Sequence, residues 1–188
     1  MPSKILVFAA SLRTGSFNAC LADLVAWRLE EDGASVTRLD LGAYDLPIYH
    51  GDIEANDGVP EPAMKLHEQF RNHDAIFIAS PEYNANVSPL LANVLAWVSR
   101  IPENGGMAAA FGQPVFALGS ASPGGFGGYR GLMALRNMLE LQLGARVLTA
   151  MVSVPQAHEA FDEGGNLVAP FPKKMLEGML ASITEVTR

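Results

Sequence analysis

Residues 4–9 read Lys-Ile-Leu-Val-Phe-Ala, an almost unbroken apolar run that leads into a Ser-rich turn containing a glycine. A strand buried on both faces has this pattern. From residue 16 to 31, Phe17, Leu21, Leu24, Val25, the aliphatic stem of Arg28 and Leu29 recur at helical spacing, and Gly33 stands where a helix-ending glycine belongs. The same reading gives strands at 35–41, 74–79, 114–119 and 146–152, and helices at 61–72, 87–100, 128–143 and 171–186. Between the second strand and the second helix lies a stretch, 42–60, holding Pro47, Gly51, Gly58 and several acids. It is long for a structureless connection, which marks it as a functional loop.

Five strands alternating with five helices argue for parallel strands joined by right-handed crossovers, hence a doubly wound sheet in a single domain spanning 1–188. In such a sheet ligands sit at the carboxyl ends of the strands, where the strand order reverses. The loops after strands one, three and four are therefore where function is expected.

Charge narrows the partners. The net charge is −7, and no run of Lys or Arg is long enough to neutralise successive phosphates, so nucleic acid is not an expected partner. The N-terminus runs Met-Pro-Ser-Lys straight into the first strand without a signal-like segment, and no apolar stretch is long enough to span a bilayer. These features, with one cysteine in the whole chain, lead to the expectation of a cytoplasmic protein without a membrane segment. Cys20, inside the first helix, is expected to be buried as a small apolar residue. His50, His67, His73 and His158 show no metal-ligand spacing, no Gly-x-Ser-x-Gly elbow is present, and no metal site or hydrolase chemistry is expected.

The loop after strand one, Ser11-Leu12-Arg13-Thr14-Gly15-Ser16-Phe17-Asn18, gathers hydroxyls, a guanidinium and an amide at a helix N-terminus. Free backbone N–H groups and the helix dipole make such an end an anion site. It lacks Gly-x-Gly-x-x-Gly and Gly-Lys-Ser/Thr, so a monophosphate fits better than a pyrophosphate. The alternative is an ordinary turn in which Ser16 caps the helix and Arg13 is solvated. After strand three, Ser80-Pro81-Glu82-Tyr83-Asn84 can offer backbone groups to the edge of a planar heterocycle, or be a plain Pro-containing connection. The third loop runs from Gly119 through Ser120, Gly124 and Gly125 to Gly128, and its small residues allow a close approach to a ligand or form a flexible connector. The helix at 87–100 carries Val87, Leu91, Val94, Leu95, Trp97 and Val98, more than one core-facing stripe needs, which leaves a subunit interface and the core as competing destinations. Arg130 and Arg136 read as ion-pair partners at the surface or an interface.

Together, Ser11-Leu12-Arg13 with Ser16 and Asn18, Pro81-Glu82-Tyr83-Asn84 with Asn93 and Trp97-Val98-Ser99-Arg100, and Gly127-Gly128-Tyr129-Arg130 with Leu135-Arg136 resemble the NADPH-dependent FMN reductase family, whose quinone, azo and chromate reductases are the nearest look-alikes. The resemblance covers residues 4–150 and implies a flavodoxin-like five-stranded sheet in the order 2-1-3-4-5 with helices on both faces. It implies bound FMN, held by Ser11, Arg13, Ser16, Phe17, Asn18, Pro81, Glu82, Tyr83, Asn84, Ser120, Gly124 and Gly125, with Arg13, Ser16 and Asn18 at the phosphate. It also implies NADPH or NADH as a transient co-substrate, a small-molecule electron acceptor, and a homodimer or homotetramer built through helix 87–100 and positions such as Arg100 and Arg130. The chain departs from the family pattern at Leu90, Ala92 and Ala96, where a glycine, a lysine and an aspartate are usual, which makes the helix more apolar.

With flavin carrying the hydride chemistry, no catalytic side chain is required. The implied activity is FMN-dependent NAD(P)H oxidation with ping-pong transfer to a quinone, azo compound, flavin or metal oxyanion. A flavodoxin-type electron carrier and a flavin-free binding relative are the competing readings.

Overall fold

A computed structural model describes all 188 residues. Strands β1 (Lys4–Ala9), β2 (Ser35–Leu39), β3 (Ala75–Ala79), β4 (Val115–Ala121) and β5 (Arg146–Val147) form a parallel sheet in the order β2-β1-β3-β4-β5, and β6 (Val152–Val154) also pairs with β4. The order is the one the resemblance implies.

The unbroken apolar runs follow from burial on both sides. Ile5, Val7 and Phe77 point into one core, packed against α1 (Phe17–Glu31) and α6 (Pro170–Thr187). Their neighbours Leu6, Phe8, Ile76 and Ile78 point into the other, against α3 (Glu61–Arg71), α4 (Pro89–Val98) and α5 (Tyr129–Asn137). Each core holds 23 buried residues, so neither face could be left polar. Gly33, at φ +86°, closes α1 in the left-handed conformation a side chain would resist.

Three expectations need correction. The fifth strand is not continuous over 146–152, because the ladder is interrupted after the Leu148 N–H, which donates to Phe116 O: β5 pairs with the start of β4 and β6 with its end. Arg136 braces the gap, donating to the carbonyls of Val147 and Leu148 while it pairs with Glu140. The stretch 42–60 is not structureless, since it contains the short helix α2 (Gly51–Asp57). No residue of α2 is buried, so it has no apolar stripe to betray it, and its start is held by the His50 ring accepting from the Asp52 N–H. Cys20 is exposed, because the buried side of α1 is made by Leu21, Leu24, Val25 and Leu29.

The apolar breadth of α4 also has an internal cause. Leu91, Val94, Leu95 and Val98 enter the main core, while Trp97 is fully buried in a small satellite core with Ala63 and Ile101. Leu46, Tyr49, Ile53 and Val59 from the long stretch cover it. The Trp97 indole N–H donates to Pro47 O at 2.7 Å, and the Asn93 amide both donates to Pro47 O and accepts from the Tyr49 N–H. Arg100, expected at a subunit contact, pairs with Glu54 of α2 within the chain.

Replacing Asn93 by Ala removes both amide bonds to this cover. We expect a loss of about 1–2 kcal/mol in urea unfolding and faster proteolytic cleavage between residues 48 and 58, with the sheet unchanged by circular dichroism.

Candidate functional site

The strand order reverses between β1 and β3, whose onward crossovers depart to opposite sides, and the loops after β1, β3 and β4 meet at the gap this leaves. There, Ser11, Arg13, Ser16, Phe17, Asn18, Pro81, Glu82 and Tyr83 line one cleft of about 190 Å³ with Ala121, Ser122 and Pro123. A larger cleft, about 560 Å³, opens at the amino-terminal end of the sheet around Lys4, His73 and Arg146 and touches none of these loops.

The first wall is rich in unpaired donors at a helix N-terminus. The backbone N–H groups of Thr14, Gly15, Phe17 and Asn18 find no acceptor in the chain, and they surround the positive end of α1. Ser16 sits at the N-cap position but its hydroxyl does not cap the helix, so it is free to face the cleft. Arg13 lies over the Phe17 ring at 5.4 Å and donates to Gly15 O, which folds the guanidinium back over the loop.

Asn18 does different work from a phosphate ligand. Its side chain is buried and paired in both directions with the Ala121 peptide, donating to the carbonyl at 2.9 Å and accepting from the N–H at 3.0 Å. It pins the start of α1 to the end of β4 and thereby fixes the distance between the first and third loops.

The second wall is a hairpin-like turn. Tyr83 and Asn86 exchange backbone hydrogen bonds, and Asn84 and Ala85 between them sit at φ +52° and +59°. Two left-handed residues in succession make a type I′ turn, and Ala85 is strained there. Glu82 lines the cleft, but its carboxylate is paired within the chain, accepting from the Arg130 side chain and from the Gly131 N–H at 3.0 Å. Burial pushes this carboxyl up, but the Arg130 guanidinium and the Gly131 N–H outweigh it and hold it below the usual carboxylate range. Asn84, at the tip of the turn, is exposed and outside the lining of the cleft.

The third wall starts two residues later than expected, since β4 continues to Ala121. Ser120 is therefore behind the wall. Its hydroxyl is fully buried without a partner, against Gly128, where a Cβ would lie 1.9 Å from Ser120 Oγ. Gly128 at φ +80° is thus required both by its conformation and by contact. Gly124 and Gly125 are exposed next to the cleft but do not line it, and Ala121, Ser122 and Pro123 take the places expected of them.

Two outcomes follow from this geometry. Asn18→Ala leaves the Ala121 N–H and C=O buried and unpaired, and should lower stability by about 2 kcal/mol or more in chemical denaturation. Ala85→Gly relieves the left-handed strain, and should raise the thermal midpoint by about 2–4 °C, the shift expected for roughly 1 kcal/mol in a domain of this size.

Known proteins resemble this chain in sequence and in fold. The model of the family described as NADPH-dependent FMN reductase matches residues 3–159. The chain is 32% identical over 181 residues to an NAD(P)H-dependent FMN reductase of Pseudomonas aeruginosa, covering 96% of this chain and 92% of that one. It is 33% identical over 189 residues to a probable NADPH:quinone oxidoreductase of Oryza sativa subsp. japonica, covering 96% and 86%. Among solved structures, FerB of Paracoccus denitrificans, a flavoenzyme NAD(P)H:(acceptor) oxidoreductase, superimposes with a TM-score of 0.79 at 26% identity, covering 98% of this chain and 97% of that one. The sheet order β2-β1-β3-β4-β5, the family match over residues 3–159 and these relatives together place the chain in the NADPH-dependent FMN reductase family, a family of oxidoreductases.

Proposed function

We propose that this protein binds FMN and oxidises NADPH or NADH to reduce a small acceptor, a quinone, azo compound, flavin or metal oxyanion, in two half-reactions that use one cleft. The observation that carries the reading is the anion cradle opening beside a turn of exposed peptide groups. The residues present fit the group: Ser16, Arg13 and the N–H groups of Thr14, Gly15 and Phe17 would hold its phosphate, and Pro81 to Tyr83 would border its ring. Flavin, when bound, supplies acceptance of hydride at N5 and its return to the acceptor.

The chain's own part is positioning. Glu82, the one carboxylate lining the cleft, is already bonded to Arg130 and Gly131, and no His or Cys lines it. Besides Arg13, Tyr83 is the remaining lining side chain with an ionisable proton, and orientation of the ring and its partners is what the walls contribute in this reading. In this reading nicotinamide and acceptor use the same cleft and bind in turn. The reaction requires the reduced nicotinamide pool, which points to the cytoplasm. No helix is long and apolar enough to cross a membrane. For the homodimer or homotetramer, the outward side of α4 offers part-exposed Leu90, Ala92 and Ala96, near the 85% exposed Ile48.

Titration of the purified protein with FMN, followed by flavin fluorescence, should show saturable binding weakened about tenfold or more by Arg13→Ala. Anaerobic NADPH should then bleach the bound flavin, and initial rates at varied NADPH and acceptor should give parallel double-reciprocal lines. Binding without bleaching would identify an electron carrier, intersecting lines would exclude the alternating scheme, and absence of binding would identify a flavin-free relative.

A further inference from the structure

We infer that Glu82, Arg130 and Phe126 act as a clasp that locks the second and third walls of the cleft together, with Glu82 a positioning residue for the peptide groups of residues 83–86. The inference rests on the functional reading above for its consequence at the flavin, but its structural content concerns the chain alone.

Four contacts converge on one junction. The Arg130 Nε and Nη2 groups both donate to Glu82, and the Gly131 N–H donates to its other oxygen. The Arg130 guanidinium also lies over the Phe126 ring at 4.7 Å, which ties in the loop between β4 and α5. Gly131 has no room for a side chain: a Cβ there would stand 3.0 Å from Glu82 Cβ and 3.1 Å from Asn86 O. The first turn of α5 thus packs flush on the backbone of the second wall, and the carboxylate is the bolt across that contact.

Arginine suits this place because its planar fork meets the carboxylate through two donors while its face remains free for the ring. The Glu82 side chain is only 9% exposed and that of Arg130 54% exposed, so a change in Arg130 is felt by a buried charge. Residues 83–86 hang from the clasp. Their turn has left-handed backbone at Asn84 and Ala85, strained at Ala85, and one pair of backbone bonds, Tyr83 to Asn86, to hold it. Opening the clasp frees the turn, and with it the wall that would border the flavin ring.

The test is a double-mutant cycle of Glu82→Gln and Arg130→Met, with Arg130→Lys as the conservative variant. Amide hydrogen exchange is measured on the protein without flavin, and FMN affinity by fluorescence. Each single change should speed exchange of the Tyr83 and Asn86 N–H groups and weaken FMN about tenfold, the double variant should be no worse than either single one, and Arg130→Lys should recover part of the loss. Faster exchange confined to residues 126–131, or single effects that multiply in the double variant, would overturn the clasp. If Arg130→Met fails to fold, Glu82→Gln and Arg130→Lys decide the same question. A wild-type protein that binds no FMN would remove the functional reading, whereas the exchange result would still decide the clasp.

Discussion

A parallel sheet whose strand order reverses must leave a gap at the carboxyl ends of two adjacent strands, and the proposed flavin site of this chain is built around that gap. The onward crossovers from β1 and β3 depart to opposite sides, so no connection covers the ends of these strands. The gap is polar by necessity, because the peptide groups that end β1 and begin α1 have lost their ladder partners. Thr14, Gly15, Phe17 and Asn18 keep N–H groups without an acceptor in the chain, and these are the donors that the proposed function assigns to an anion.

Such a site needs walls that hold their spacing, and the structure supplies two braces from residues that look like ligands. The Asn18 amide is spent on the Ala121 peptide and joins the first wall to the third. The Glu82 carboxylate is spent on Arg130 and Gly131 and joins the second wall to the third. Both polar groups lie on loops beside a ligand cleft, and both are satisfied by the protein itself, which is why they can be buried or nearly so. The surfaces left for a ligand are the hydroxyl of Ser16, the folded-back Arg13 and peptide groups of the turn.

The far side of the molecule shows the same economy. The stretch 42–60 covers Trp97, and Asn93, Glu54 and Arg100 fasten it. Arg100 and Arg130, expected at contacts between subunits, are both paired within the chain. An assembly through α4 would therefore rest on its outward apolar positions more than on arginine pairs.

The sequence by itself pointed to a parallel sheet buried on both faces, through continuous apolar runs at β1, β3 and β4 that alternate with helices, while the strand order came with the family resemblance. The hydroxyls, arginine and glycine ahead of α1 made that loop the expected place of an anion, with an ordinary capped turn as the alternative. What only the tertiary structure decided was the use of each polar group, because a hydrogen bond depends on partners distant in the chain. Asn18 and Ala121 are 103 residues apart, and Glu82 and Gly131 are 49 apart. The helix α2, the interruption between β5 and β6 and the exposure of Cys20 escaped the pattern for a related reason. The first has no buried face to impose a period, the second is held open by Arg136, and the third follows from which side of α1 the sheet covers.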